Sequence, residues 1–238
     1  FLWADAICIN QRDNTEKSSQ VRQMQWVYRQ ANVVPVWLGE SDEGRLRALR
    51  ELADFQGLNK TFDVEDPKFL KALNTIRKLD KLFQLEQIPS QDQSMPTTHR
   101  TSRGSDSDDF PLTEVGNLLE RPWWGRIWVV QELAFAKEVL FVCGYDKISG
   151  ECIRTFTAVW DLVNKGFIPW LMDHRVWAMF EVREAVEIGE HLPIKDLLQI
   201  TPKALLETSD PRDHIFALLG LAKDGEQFQR LVDYEKPV

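Results

Sequence analysis

Two short apolar runs constrain this chain most: VVPVWLGE at 33–40 and EVLFVCG at 138–144. Each has the length of a buried strand and is too short for a core helix. Each also follows a stretch with helical character. Ahead of the first, Val21, Met24, Tyr28 and Ala31 share one helical face, which predicts an amphipathic helix over 14–32. Ahead of the second, a helix is predicted from about Gly125 to Lys137. A third apolar run, FLWADAICI at 1–9, reads as a buried strand running into a loop. The order strand, helix, strand, helices, helix, strand predicts an α/β fold, a mainly parallel sheet flanked by helices.

Local signals place the boundaries. Asp13 followed by Glu16 fits a capping box at the first helix. Pro35 removes a ladder donor inside its strand, which asks for an edge position or a bulge. Residues 44–87 read as two helices broken near 63–67, and 88–111 as a long polar loop. LTEVGNLLE is a short helix stopped by Pro122, since the residue before a proline leaves the α region. From 151 onward the pattern is helical, and SDPRDHIFALLGLA predicts a helix with Ser209 or Asp210 as cap and Pro211 at its first position. The expected organisation is an α/β domain over 1–150 with a helical and loop insertion at about 44–111. A helical C-terminal extension over 151–238 packs on it.

Charge and composition narrow the function classes. The net charge is -8, without a Lys/Arg cluster, which argues against nucleic-acid binding and fits a cytoplasmic life. No run approaches the roughly 20 apolar residues of a membrane span. The three cysteines form no CxxC pair, and Cys8 and Cys143 read as buried thiols. His174, His191 and His214 have no ligand spacing, so no metal site is expected. Phe1 lies inside an apolar run, so the chain reads as a fragment that starts within a strand.

The densest segment is RPWWGRIWVVQELAFA, 121–136. Spacing of four puts Trp128 and Glu132 on one helix face, with Gln131 beside them and Phe135 continuing it. Burial would raise the Glu132 pKa, and Arg121 or Arg126 close by would lower it, so the direction stays open at this point. Glu132 is either a functional acid or a structural one paired with Arg126 or Arg121. Tryptophans bury much area and also recur in binding sites; most of those here read as core. Asp5 fits a pocket beyond the carboxyl ends of strands or a loop acid. Asn10 and Gln11 read as loop residues satisfying backbone groups, with Asn10 kept as a candidate contact. Arg212 and Asp213 read as a structural pair.

These motifs resemble a known family. LWADAICINQRDNTEKSSQVRQMQWVYRQANVVPVWLGE is similar to the opening motif of the fungal heterokaryon-incompatibility (HET) domain. RPWWGRIWVVQELAFAKEVLFVCG resembles its second motif, and SDPRDHIFALLGLA a segment that often follows the domain. Ala4 and Pro35 depart from the usual pattern. The resemblance implies a fungal protein of non-self recognition that triggers programmed cell death. It also implies a remote likeness to TIR domains, hence a TIR-like or flavodoxin-like sheet. Trp128-Val129-Val130-Gln131-Glu132 matches the TIR Trp-x-x-x-Glu spacing, whose glutamate is catalytic in NAD-cleaving members. By that match Glu132 is the candidate catalytic residue, and Asp5, Asn10, Trp124, Arg126 and Trp128 are candidate substrate contacts.

Cleavage of NAD at the nicotinamide–ribose bond suits such a site. Nicotinamide is a cationic leaving group that needs no general acid. One placed carboxylate can stabilise the oxocarbenium-like transition state. A Trp123 or Trp124 ring could stack on a flat ring, and arginines could meet the pyrophosphate. NAD would then be substrate, with no bound cofactor; no GxGxxG or P-loop pattern is present. The alternative is a non-catalytic module working by self-association or by binding other incompatibility proteins.

Overall fold

The structure, a computed structural model, describes residues 2–56, 70, 110–164, 174–201 and 206–237. In chain order the elements are α1 (Asp5–Cys8), α2 (Asn14–Gln30), β1 (Val33–Trp37), α3 (Glu43–Ala53), α4 (Leu112–Leu119), α5 (Val129–Phe135), β2 (Glu138–Cys143), β3 (Asp146–Ser149), α6 (Gly150–Asn164), α7 (His174–Glu187), α8 (Ile194–Ile200) and α9 (Asp213–Leu219). Short 3-10 turns stand at Pro122–Gly125 and Gly225–Leu231. The fold is α/β, with a helical C-terminal part as the sequence predicts. Most of the second helix expected within 44–87, and the polar loop up to residue 109, lie outside the described residues.

The sheet among the described residues has three strands in the order β1-β2-β3. β1 pairs with β2 in parallel, Val33 opposite Glu138 through Trp37 opposite Val142. β2 pairs with β3 in antiparallel, Phe141 opposite Ile148. The expected mainly parallel sheet is thus corrected to a mixed one. The missed strand, DKIS, is short and polar, and Gly144 turns the chain back at φ +58 to reach it. Pro35 is exposed on β1, at an edge of the sheet, where its missing donor costs least.

The first run, 1–9, is not a strand. Asp5–Cys8 forms one helical turn in which Ala4 O accepts from the Ile7 and Cys8 amides and the Asp5 carboxylate accepts from Ala6 N at 2.8 Å. Local bonds to the Asp5 side chain compete with strand pairing, and of residues 2–9 only Ile9 is buried. Cys8 is therefore exposed, contrary to expectation, whereas Cys143 is buried.

Helix starts follow their caps. Asp13 Oδ1 accepts from Thr15 N and Glu16 N, both at 3.0 Å. The reciprocal arm of the expected box differs: Glu16 Oε1 accepts from Asn10 N, locking the entry loop and not the cap itself. At the other end of the chain α9 starts at Asp213, so Pro211 precedes the helix instead of opening it. The expected Arg212–Asp213 pair is also replaced. Arg212 pairs with Asp210 at 2.6 Å, while buried Asp213 accepts from the Tyr234 hydroxyl and from Thr208 Oγ1. Tyr234 N in turn donates to Ser18 Oγ at 2.9 Å, which ties the C-terminal residues to α2.

One continuous core of buried side chains runs from α2 through the sheet to α7 and α9. Within it α5 is the hub, packed against α2, α7 and α9. It has only seven residues, too few to hold itself together in water. Tertiary contacts therefore supply its stability.

Candidate functional site

RPWWGRIWVV makes a sharp corner, and the helix expected from about Gly125 starts four residues later. Pro122 opens the 3-10 turn with φ already fixed for it. Arg126 then runs extended beside Glu207, with Ile127 N donating to Glu207 O at 3.1 Å. The helix proper begins only at Val129, with Trp128 at its N-cap position. Its other end is closed by Arg183 of α7, whose buried guanidinium donates to Leu133 O and to Ala136 O, the latter at 2.9 Å. Glu187 holds that guanidinium at 2.9 Å. Arg183 thus caps the carbonyls that a helix C-terminus leaves open. Arg183→Met should cost on the order of 2–3 kcal/mol, the value of hydrogen bonds to a charged group. Urea unfolding would show it as a lower midpoint at unchanged slope.

This corner brings Glu132 to a defined place. Trp123 Nε1 donates to Glu132 Oε2 at 3.4 Å, and the Tyr28 hydroxyl of α2 lies beside the same carboxylate. Asp5 and Arg126 complete the surroundings, paired with each other at 3.8 Å. Neither arginine forms an ion pair with Glu132; Arg121 lies instead against the Gly39 turn. Burial pushes the Glu132 carboxyl above its ordinary range, opposed by the Arg126 charge and the Trp123 hydrogen bond. Tyr28 is likewise raised, first by burial and then by the Glu132 charge. The question left open by the sequence is answered by desolvation: the arginines do not outweigh it.

The other candidates separate into those at this acid and those elsewhere. Asp5 is half-buried beside it, and Arg126 is exposed at its rim. Trp128 is half-buried against the core. Trp124 is fully buried, its ring stacked on Phe141 at 5.1 Å and its Nε1 donating to Leu118 O at 3.2 Å. It therefore has no face to offer a ligand, a correction to its expected role. Trp123 presents an N–H edge to Glu132 and not a ring face. Asn10 is exposed and serves its loop, accepting from Arg12 N at 3.2 Å, while Gln11 Nε2 donates to Asp5 O. Tyr28 and Arg183 were missed as site residues. Tyr28 sits on the apolar face of α2 and reads as core by spacing alone. Arg183 lies 47 residues from one of the carbonyls it caps, beyond any local pattern. Among the described residues no His, Cys, Asp and Glu group could hold a metal, and no helix is long and apolar enough to cross a membrane.

The family model described as heterokaryon incompatibility protein (HET) matches residues 1–132. That range takes in every residue of the acid site, from Asp5 to Glu132. Heterokaryon incompatibility protein 6, OR allele, of Neurospora crassa is 27% identical over 98% of this chain and 36% of its own length. The chain therefore spans little more than a third of that relative. No solved structure matches. With more than half of its residues matched, the chain belongs to the heterokaryon incompatibility (HET) family.

Proposed function

We propose that this chain acts in fungal non-self recognition and cell death by cleaving NAD, with Glu132 as the catalytic residue. What carries the proposal is the Glu132 arrangement: a desolvated carboxylate held by Trp123 and flanked by Tyr28, Asp5 and Arg126. In this scheme the bond between the nicotinamide nitrogen and ribose C1′ breaks. The bonding pair leaves with nicotinamide, which becomes neutral. The ribosyl centre becomes oxocarbenium-like and faces the Glu132 carboxylate. Water adds its hydroxide at C1′ and releases a proton. Trp123 fixes the carboxylate, and Arg126, exposed at the rim, is placed to meet a phosphate. Asp5 keeps Arg126 oriented. Trp128 and Asn10 would contact substrate only at the margin of such a site.

The test follows nicotinamide release from NAD by the purified, concentrated chain. Turnover that disappears in Glu132→Gln supports the proposal. Turnover unchanged in that variant removes Glu132 from the chemistry, and no turnover even in a forced oligomer removes the enzyme.

One observation favours a second reading, a non-catalytic assembly module in the cytoplasm. β1 stands at the edge of the described sheet with Val33 and Trp37 exposed. Edge strands of this kind accept a partner strand, although Pro35 interrupts the row of donors. Full killing by a folded Glu132→Ala variant in a fungal host would favour assembly.

A further inference from the structure

α2 works on two sides. Tyr28 turns inward to Glu132, while Arg22, Trp26 and Arg29 form a stripe at helical spacing on another face. That stripe is one wall of a groove of about 600 Å³. Lys223, Glu226 and Gln229 stand on the opposite wall. The volume falls within the range of about 300–1,000 Å³ typical of small-molecule sites.

Three features of the groove ask for a particular ligand. First, three cations face one carboxylate, Glu226, in a chain whose net charge is -8. Local positive charge against an acidic background favours an anion. Second, Trp26 is 58% exposed, so an indole face is left to water inside a concave surface. Third, Gln229 Oε1 is buried without a hydrogen-bond partner, an acceptor that asks for a donor. The two arginines are also held in place. Arg22 donates to Val232 O, and the Arg29 guanidinium lies 4.2 Å from the Phe135 ring centre. Fixed cations cost less side-chain entropy on binding.

We propose that this groove binds a mononucleotide. The base stacks on Trp26, an exocyclic amino group donates to Gln229 Oε1, and the phosphates meet Arg22, Arg29 and Lys223. A bare phosphate would use neither Trp26 nor Gln229, and a neutral aromatic would leave the cations unused. The site is separate from Glu132 and does not depend on NAD cleavage. α2 joins the two, since Tyr28 and Arg29 are adjacent and point one to each.

Calorimetric titration of the chain with ATP, adenosine and sodium triphosphate tests this. One ATP should bind per chain, with adenosine and triphosphate each at least tenfold weaker. Trp26→Ala and the Arg22→Gln/Arg29→Gln pair should each weaken ATP at least tenfold, while Glu132→Gln leaves it unchanged. Trp26 is exposed, so its replacement leaves the core intact; Lys223→Gln, also exposed, should weaken ATP as well and gives an independent variant. Absence of saturable ATP binding up to millimolar concentration would overturn the proposal. So would triphosphate binding as tight as ATP, unchanged affinity in folded Trp26→Ala and Lys223→Gln, or affinity lost in Glu132→Gln.

Discussion

Glu132→Gln is expected to lower the proposed NAD cleavage by at least about 100-fold, the range for removing one preorganised electrostatic group from a transition state, and to stabilise the fold at the same time. The amide keeps an oxygen for Trp123 Nε1. It lacks the negative charge that burial disfavours. Opposite effects on activity and stability are what a functional acid in a desolvated place should give.

The sign of the pH dependence follows from the raised pKa of Glu132. Between the ordinary carboxylate range and the raised value, the folded chain binds a proton that the unfolded chain has lost. Stability of the wild type therefore falls as pH rises through that window, at no more than about 1.4 kcal/mol per pH unit. The Gln variant lacks this slope, so its advantage in melting temperature grows from about pH 4 upward. Catalysis needs the ionised form, so nicotinamide release should rise with pH through the same raised value. The midpoint of the rate should fall at the pH where the loss of stability levels off. A Gln variant less stable than wild type at pH 8 would make Glu132 a structural acid.

The strands β1 and β2 and the amphipathic helix α2 were legible because each is a local pattern. Val21, Met24 and Tyr28 are buried as their spacing predicts. The 1–9 run failed because hydrophobicity cannot say whether a neighbouring strand exists to receive it. There, the Asp5 side chain supplied local bonds instead. β3 failed because a four-residue polar strand carries no period to detect. For the candidate site, the place of Glu132 on a helix among apolar neighbours was legible by spacing. Its partners divide by origin. Trp123 comes from the same segment and lay within reach of inspection. Tyr28 comes from a helix a hundred residues earlier, and only the packing of α2 against α5 brings it there. Even Trp124 was ambiguous: the sequence shows adjacent tryptophans, and only the corner at Pro122–Gly125 buries both and leaves the Trp123 N–H, not that of Trp124, facing Glu132.

Trp124→Ala should be the most damaging single change to stability. The ring is fully buried between Phe141, on which it stacks, and Trp123, which meets it edge-on at 4.9 Å. Replacing a buried Trp by Ala costs about 3–5 kcal/mol through lost contacts and the cavity left behind. Loss of the Nε1 donor leaves Leu118 O without that bond, adding about 1–3 kcal/mol if water cannot reach it. Against a total stability of about 5–15 kcal/mol, the variant should be largely unfolded at physiological temperature or strongly shifted in urea. Trp124→Phe separates the two roles once considered for this residue. An anchor that loses only its N–H and part of its ring should lower the urea midpoint while the folded fraction keeps its NAD affinity. A stacking platform would do the reverse, with stability nearly kept and KM for NAD raised. Because the indole lies beneath Phe141 and the helix α4 carbonyl, with no surface exposed, the first pattern is the expected one.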